Sequence, residues 1–217
     1  MNEQTKKLLV MDVDSTLIEE EVIDLLGDEA GVGDEIARVT AAAMRGEIDF
    51  KAALRDRVAL LEGLPDDIFE KVYSRVHFTN GAKALIKAAH QRGWKVGVVS
   101  GGFHEIVDKL AQEVALDYVL CNHLAVKAGK LTGKTDGPVV DKILKLNTIK
   151  KWAELNHLTL SDVIALGDGA NDLPMIQAAG VGIAFCAKPA VQKGAPHLLN
   201  TRDLMKVLEI VDQLADE

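Results

Sequence analysis

Leu8-Leu9-Val10-Met11, followed at once by Asp12-Val13-Asp14-Ser15-Thr16, is the stretch from which the fold can be read. A short run of apolar residues without polar alternation predicts a strand buried on both faces, as in a parallel sheet covered by helices. Two further runs end in the same way. Val96-Gly97-Val98-Val99 stops at Ser100, and Val163-Ile164-Ala165-Leu166-Gly167 stops at Asp168. In open parallel sheets ligands bind beyond the carboxyl ends of the strands, so Asp12, Ser100 and Asp168 are expected to converge on one site.

Between the first strand and the rest, residues from about Ile18 to Val76 change to helical spacing. Ile23, Leu26, Ile36, Val39, Leu54, Val58 and Leu61 recur at three- and four-residue steps, with Gly27, Gly31, Gly63 and Pro65 as breakers. From Thr79 onward helices and strands alternate: a helix over Ala82–Gln91, the Val96 strand, helices over Phe103–Val114 and Ile143–Leu155, then the Val163 strand. Short alternating segments between Asp117 and Val140 predict a β-hairpin flap. Apolar positions from Leu204 to Leu214 predict an amphipathic closing helix. The expected architecture is α/β: a Rossmann-like parallel sheet over residues 1–17 and 78–217, an inserted helical cap over 18–77, and a small hairpin flap. The two chains joining cap and core are placed to act as a hinge.

The chain has 217 residues, enough for one core and a sizeable insertion but not for a second large domain. A net charge of −8 with no basic run argues against a nucleic-acid groove. Cys121 and Cys186 are far apart and form no C-x-x-C, which fits a reducing, cytoplasmic setting without a disulfide framework or zinc site. Asp12 and Asp14 interrupt the first apolar stretch before a signal peptide would be complete, and no run is long enough to span a membrane.

Asp12 and Asp14 lie one residue apart at a strand end, where an extended backbone puts both on one face. One carboxylate can attack phosphorus while a second protonates the leaving oxygen and then activates water. Gly167-Asp168-Gly169-Ala170-Asn171-Asp172 adds two acids on a glycine-rich turn, and hard oxygens of this kind suit Mg²⁺ with waters and a phosphate. Ser100-Gly101-Gly102 offers a hydroxyl and free N–H groups to an anion at the expected opening of a helix. Each of these segments taken alone would equally fit a helix cap. Ser100 is a poor hydrolase nucleophile, because G-x-S-x-G requires Gly at position 98, where Val98 stands. Gly133-Lys134-Thr135 lacks the earlier glycine of a P-loop, since Ala128 occupies that position. Phosphoryl transfer also needs a cation, with Lys142, Lys145, Lys150 and Lys151 as candidates.

The ordered set D-x-D-S-T (from Asp12), V-I-D (from Val22), S-G-G-F (from Ser100), G-D-G-A-N-D (from Gly167) and F-C-A-K-P (from Phe185) resembles the haloacid-dehalogenase superfamily of aspartate-nucleophile phosphatases, along almost the whole chain. That resemblance implies Asp12 as nucleophile and Asp14 as general acid/base. Mg²⁺ would be held by Asp12, the Asp14 carbonyl and Asp168, with Asp172 supporting its water shell. It further implies a phosphoryl site of Ser100, Gly101, Asn171 and Lys145, although Leu146 departs from the small residue often found after that lysine. In the cap, Glu21 would face a substrate ammonium and Arg57 a carboxylate, with Met44 and Phe50 nearby. The implied reaction is hydrolysis of O-phospho-L-serine to L-serine and phosphate, the last step of serine biosynthesis, in a monomer or homodimer. Another small phosphomonoester such as phosphohomoserine is the alternative. A phospho-acceptor switch would need neither a cap nor Asp14, and a silent binding protein would not fill every chemical position. Relatives with a regulatory domain carry it before the first strand, where only a few residues stand here, so none is expected.

Overall fold

The computed structural model describes residues 6–216; residues 1–5 of the expected core, and Glu217, lie outside the described residues. Seven strands form one sheet in the order β4-β3-β2-β1-β5-β6-β7. They are β1 (Leu8–Met11), β2 (Lys95–Phe103), β3 (Tyr118–Lys127), β4 (Lys130–Asp136), β5 (Val163–Gly167), β6 (Val181–Phe185) and β7 (His197–Leu199). All neighbours are parallel except β3 and β4. Every residue of β1, β5 and β6 is buried, and the two-residue period of a strand divides them between two cores. Leu9, Met11, Ile164 and Leu166 face α5 (Ala82–Gln91), α6 (His104–Val114) and α10 (Lys206–Ala215). Leu8, Val10, Val163 and Ala165 face α7 (Lys142–Leu155) and α8 (Leu173–Ala178). Sandwiching between helices is what makes the apolar runs continuous.

Four helices follow β1: α1 (Val22–Ala30), α2 (Gly33–Met44), α3 (Phe50–Ala59) and α4 (Ile68–Tyr73). Gly27, expected as a breaker, lies inside α1: a Cβ there would come 2.5 Å from Cδ1 of Ile36, so the missing side chain lets α2 pack close. The chains that connect this block to the sheet run side by side. Thr79 N–H donates to Leu17 O at 2.9 Å, and Glu19 N–H donates to His77 O at 3.0 Å.

The hairpin is not a free flap. The first half of β3 extends the main sheet against β2, and only its second half pairs with β4. Its tip is bonded to the turn between α3 and α4, through Gly63 N–H to Leu131 O (2.8 Å), Leu131 N–H to Leu64 O (2.8 Å) and Asp66 N–H to Gly129 O (3.0 Å). β6, β7 and the short helix α9 (Pro189–Gln192) complete the far edge. No helix among the described residues is long and apolar enough to cross a membrane.

Candidate active site

Parallel pairing sets Met11 beside Val98 on one side and Leu166 on the other, so β1, β2 and β5 deliver the residues that follow them to one crest. Asp12, Asp14, Ser100, Gly101, Asp168 and Asn171 all line a single cavity of about 260 Å³. The same cavity is lined from the helical block by Glu21, Phe50, Leu54 and Arg57.

Asp12 is buried; its Oδ1 accepts from Val13 N–H at 2.8 Å, and its Oδ2 is 3.1 Å from Nζ of Lys145. Asp14 still has extended backbone, and the chain then turns sharply through Ser15, at φ +57°. That left-handed residue is held in place by Ser15 Oγ donating to Glu21 Oε1 at 2.7 Å. Burial, reinforced by the charges of Glu21 and Asp12, raises the Asp14 carboxyl well above the ordinary carboxylate range. Its Oδ1 is buried without a hydrogen-bond partner among the described residues.

The strand β2 continues through Phe103, so Ser100 lies within it rather than at a helix start as expected. The ladder becomes irregular between Val99 and Phe103, and this aims the Ser100–Gly102 backbone at the cavity. Gly102 N–H donates to Ser100 Oγ at 3.0 Å, so that donor is already engaged. A Cβ on Gly102 would lie 3.3 Å from Oδ2 of Asp14, tighter than side chains normally tolerate.

Of the four candidate lysines only Lys145 is buried, at 0 % exposure. It reaches Asp172 Oδ1 at 2.6 Å as well as Asp12. Burial opposes its charge, but the two carboxylates outweigh burial and raise its pKa. Asp172 Oδ2 accepts from Gly169 N–H at 3.0 Å, and a Cβ at Gly167 would fall 2.4 Å from Asp172 Cγ. Gly167 is therefore what makes room for Asp172.

Carboxylate oxygens of Asp12, Asp168 and Asp172 lie within 4.8 Å of one another. Burial, followed by the charge of Asp12, pushes Asp168 up to about 6. Lys145 offsets Asp12 and Asp172, leaving Asp168 without an ammonium in contact among the described residues. Such crowding of hard oxygen donors fits a small divalent cation. Thr16, the last residue of the D-x-D-S-T motif, reaches across to Asp168, its Oγ1 lying 3.4 Å from Asp168 Oδ1. Asn122 is a positioning residue that no sequence motif marks: its Nδ2 donates to Gly101 O at 2.8 Å and its Oδ1 accepts from Val140 N–H at 2.8 Å, tying the Ser100–Gly102 segment to the residues before α7.

In the helical block, Arg57 donates from α3 to Ala53 O (3.2 Å) and to Thr40 Oγ1 (3.4 Å) while lining the cavity. Burial lowers its pKa, with Asp24, Glu21 and Asp14 pulling the other way. Burial likewise raises the pKa of Glu21, against its Ser15 bond. Phe50 covers Gly101, with Cζ 3.2 Å from where a Cβ would stand. Met44 is 62 % exposed and is not among the residues lining the cavity.

This fold, with acids at the ends of adjacent parallel strands and a helical block above them, defines an α/β phosphohydrolase architecture, and the chain belongs to the haloacid dehalogenase-like hydrolase family, whose model matches residues 9–177. The chain is 63 % identical over 212 residues to the phosphoserine phosphatase of Lactococcus lactis subsp. lactis, covering 98 % of each chain. Among solved structures it is similar to a substrate-bound phosphoserine phosphatase complex (TM-score 0.90, 43 % identity, 96 % of this chain and 99 % of that one). It is also similar to a phospho-aspartyl intermediate analogue of phosphoserine phosphatase (TM-score 0.89, 43 % identity, 95 % and 99 %).

Proposed function

We propose that this protein hydrolyses O-phospho-L-serine to L-serine and phosphate through a phosphorylated Asp12. The observation that carries this reading is the single cavity in which Asp12 and Asp14 on the sheet face Glu21 and Arg57 on the helices. The whole-length likeness to phosphoserine phosphatases supports the substrate. The Asp12 carboxylate attacks phosphorus and the ester P–O bond breaks. Asp14, its proton favoured by burial, gives that proton to the departing serine oxygen. Asp14 then takes a proton from water as the water attacks the phosphorus of the aspartyl phosphate, releasing phosphate and restoring Asp12.

Ser100, Gly101 and Asn171 line the side where the phosphoryl oxygens would lie, and Lys145 holds Asp12 in place from beneath. Asp12, the Asp14 carbonyl and Asp168 are suited to hold Mg²⁺, supported by Asp172; that ion would neutralise charge between the acids and the phosphoryl group. Arg57 presents a planar fork to the substrate carboxylate, and Glu21 a counter-charge to its ammonium. Residues 18–77 would serve as the cap, excluding bulk water. A cytoplasmic setting fits the two free cysteines.

Phosphate release from O-phospho-L-serine, measured beside a panel of small phosphomonoesters with Mg²⁺ and with chelator, tests the assignment. Strong preference for phosphoserine, abolished by chelator, is expected; a preference for phosphohomoserine would reassign the substrate. Arg57→Ala should lower kcat/KM for phosphoserine by about 10²-fold, the scale of a charge-assisted bidentate contact, yet leave an aryl phosphate within about threefold. Equal losses on both substrates would remove Arg57 from carboxylate recognition.

A further inference from the structure

One charged side chain of the cavity has no part in this scheme. Lys188, in the F-C-A-K-P segment after β6, lines the cavity from the sheet side beside Asp168 and Gly169. Four acids also line that cavity, Asp12, Asp14, Glu21 and Asp168, against two cations, Arg57 and Lys188. Arg57 belongs to the helical side, and Lys145 is fully buried between Asp12 and Asp172. Lys188 is therefore the solvent-reaching ammonium on the phosphoryl side.

The backbone beneath it is built to hold it there. Cys186 has φ +45°, a left-handed conformation that a non-glycine residue adopts only when its surroundings hold it there. It is retained by Cys186 N–H donating to Leu199 O at 2.8 Å, by Gln192 Nε2 donating to Ala187 O at 2.7 Å, and by Pro189 at the first turn of α9. Strain that is tied down on both sides of an exposed lysine fixes the direction of the chain at that lysine. Lys188 Nζ also lies 3.9 Å from Sδ of Met44, at the end of α2, and makes no other hydrogen bond among the described residues. Its field is felt at Asp168, where it works against the rise in pKa. The ammonium thus stands free where the mouth of the cavity passes between sheet and helices.

We propose that Lys188 is a positioning residue that captures the phosphate dianion at the cavity mouth and orients it toward Asp12. The proposal rests on the phosphoserine phosphatase reading. Positive charge on a rim where acids outnumber cations raises the local concentration of a dianion and adds a charge-assisted contact before chemistry begins. The chemical step itself belongs to Asp12 and Asp14, so Lys188 contributes to binding.

The test compares wild type, Lys188→Ala, Lys188→Gln and Lys188→Arg. Steady-state kinetics on O-phospho-L-serine are measured at several salt concentrations, and binding of inorganic phosphate by calorimetry. Loss of the ammonium should raise KM and the phosphate dissociation constant by about three- to tenfold, the range of a partly exposed charge contact, with kcat within about twofold. It should also flatten the fall of kcat/KM with salt, and Lys188→Arg should restore all three. Unchanged phosphate affinity and salt dependence in both neutral variants would overturn the proposal, as would a fall in kcat alone or no rescue by arginine. Wild-type turnover of phosphoserine tests the parent reading separately, because phosphate calorimetry reports on Lys188 even if another ester is the substrate.

Discussion

Asp12→Asn should abolish turnover, by at least about 10⁴-fold, the scale seen when a residue that carries the covalent step is removed. The substitution is nearly isosteric, and the carboxamide oxygen can keep the bond from Val13 N–H. What is lost is a nucleophilic oxygen and a negative charge facing Lys145. Rapid quenching with labelled substrate provides the second readout: wild type should accumulate an acid-stable acyl phosphate on Asp12, and the variant none. Retained activity within about a hundredfold would exclude Asp12 as the atom that takes up phosphorus.

Lys145→Ala should fail in two ways at once. Breaking a buried ion pair by removing one partner costs about 3–5 kcal/mol, because the remaining charges are buried without compensation. Here two carboxylates, Asp12 and Asp172, would be left facing each other. The urea midpoint should drop accordingly, and kcat/KM should fall by about 10³-fold as Asp12 loses its orientation. A variant as stable as wild type would show that the Lys145 ammonium offsets neither acid. Adding Asp172→Asn to Lys145→Ala should recover part of the stability and little of the activity, separating the two roles.

The three loops of the site were legible because each follows an apolar run that a two-sided sheet explains, and adjacency of β1, β2 and β5 does the rest. Lys145 carried a signal beyond the family resemblance. It falls in step with Ile149 and Trp152, so a lysine on the inward face of α7 stands apart from Lys142, Lys150 and Lys151. Asn122 carried none: it lies mid-strand, and its partners Gly101 and Val140 are reached only through the sheet. Gly27 misled because a glycine that ends a helix and one that admits a neighbour look alike in sequence; the close approach of Ile36 distinguishes them. Ser100 reads as a helix start in sequence because local pattern does not show that β2 outruns β1. The hairpin read as a flap because its alternation is real, whereas its bonds to residues 63–66 connect segments far apart in the chain.

Those bonds restrict how the enzyme can breathe. A helical block attached only by its two connecting chains could swing like a lid on one edge. This block is stitched at a second edge as well, by three backbone hydrogen bonds of about 1 kcal/mol each. Rigid-body opening would have to break them or drag the hairpin along. The turn from Arg45 to Asp49, between Met44 and Phe50, takes part in neither seam, and Lys51, just after Phe50, pairs with Asp141 at the start of α7 at 2.9 Å. A corner held by a partly exposed ion pair beside Phe50 gives way more easily than either row of backbone bonds, like the loose corner of a stitched patch.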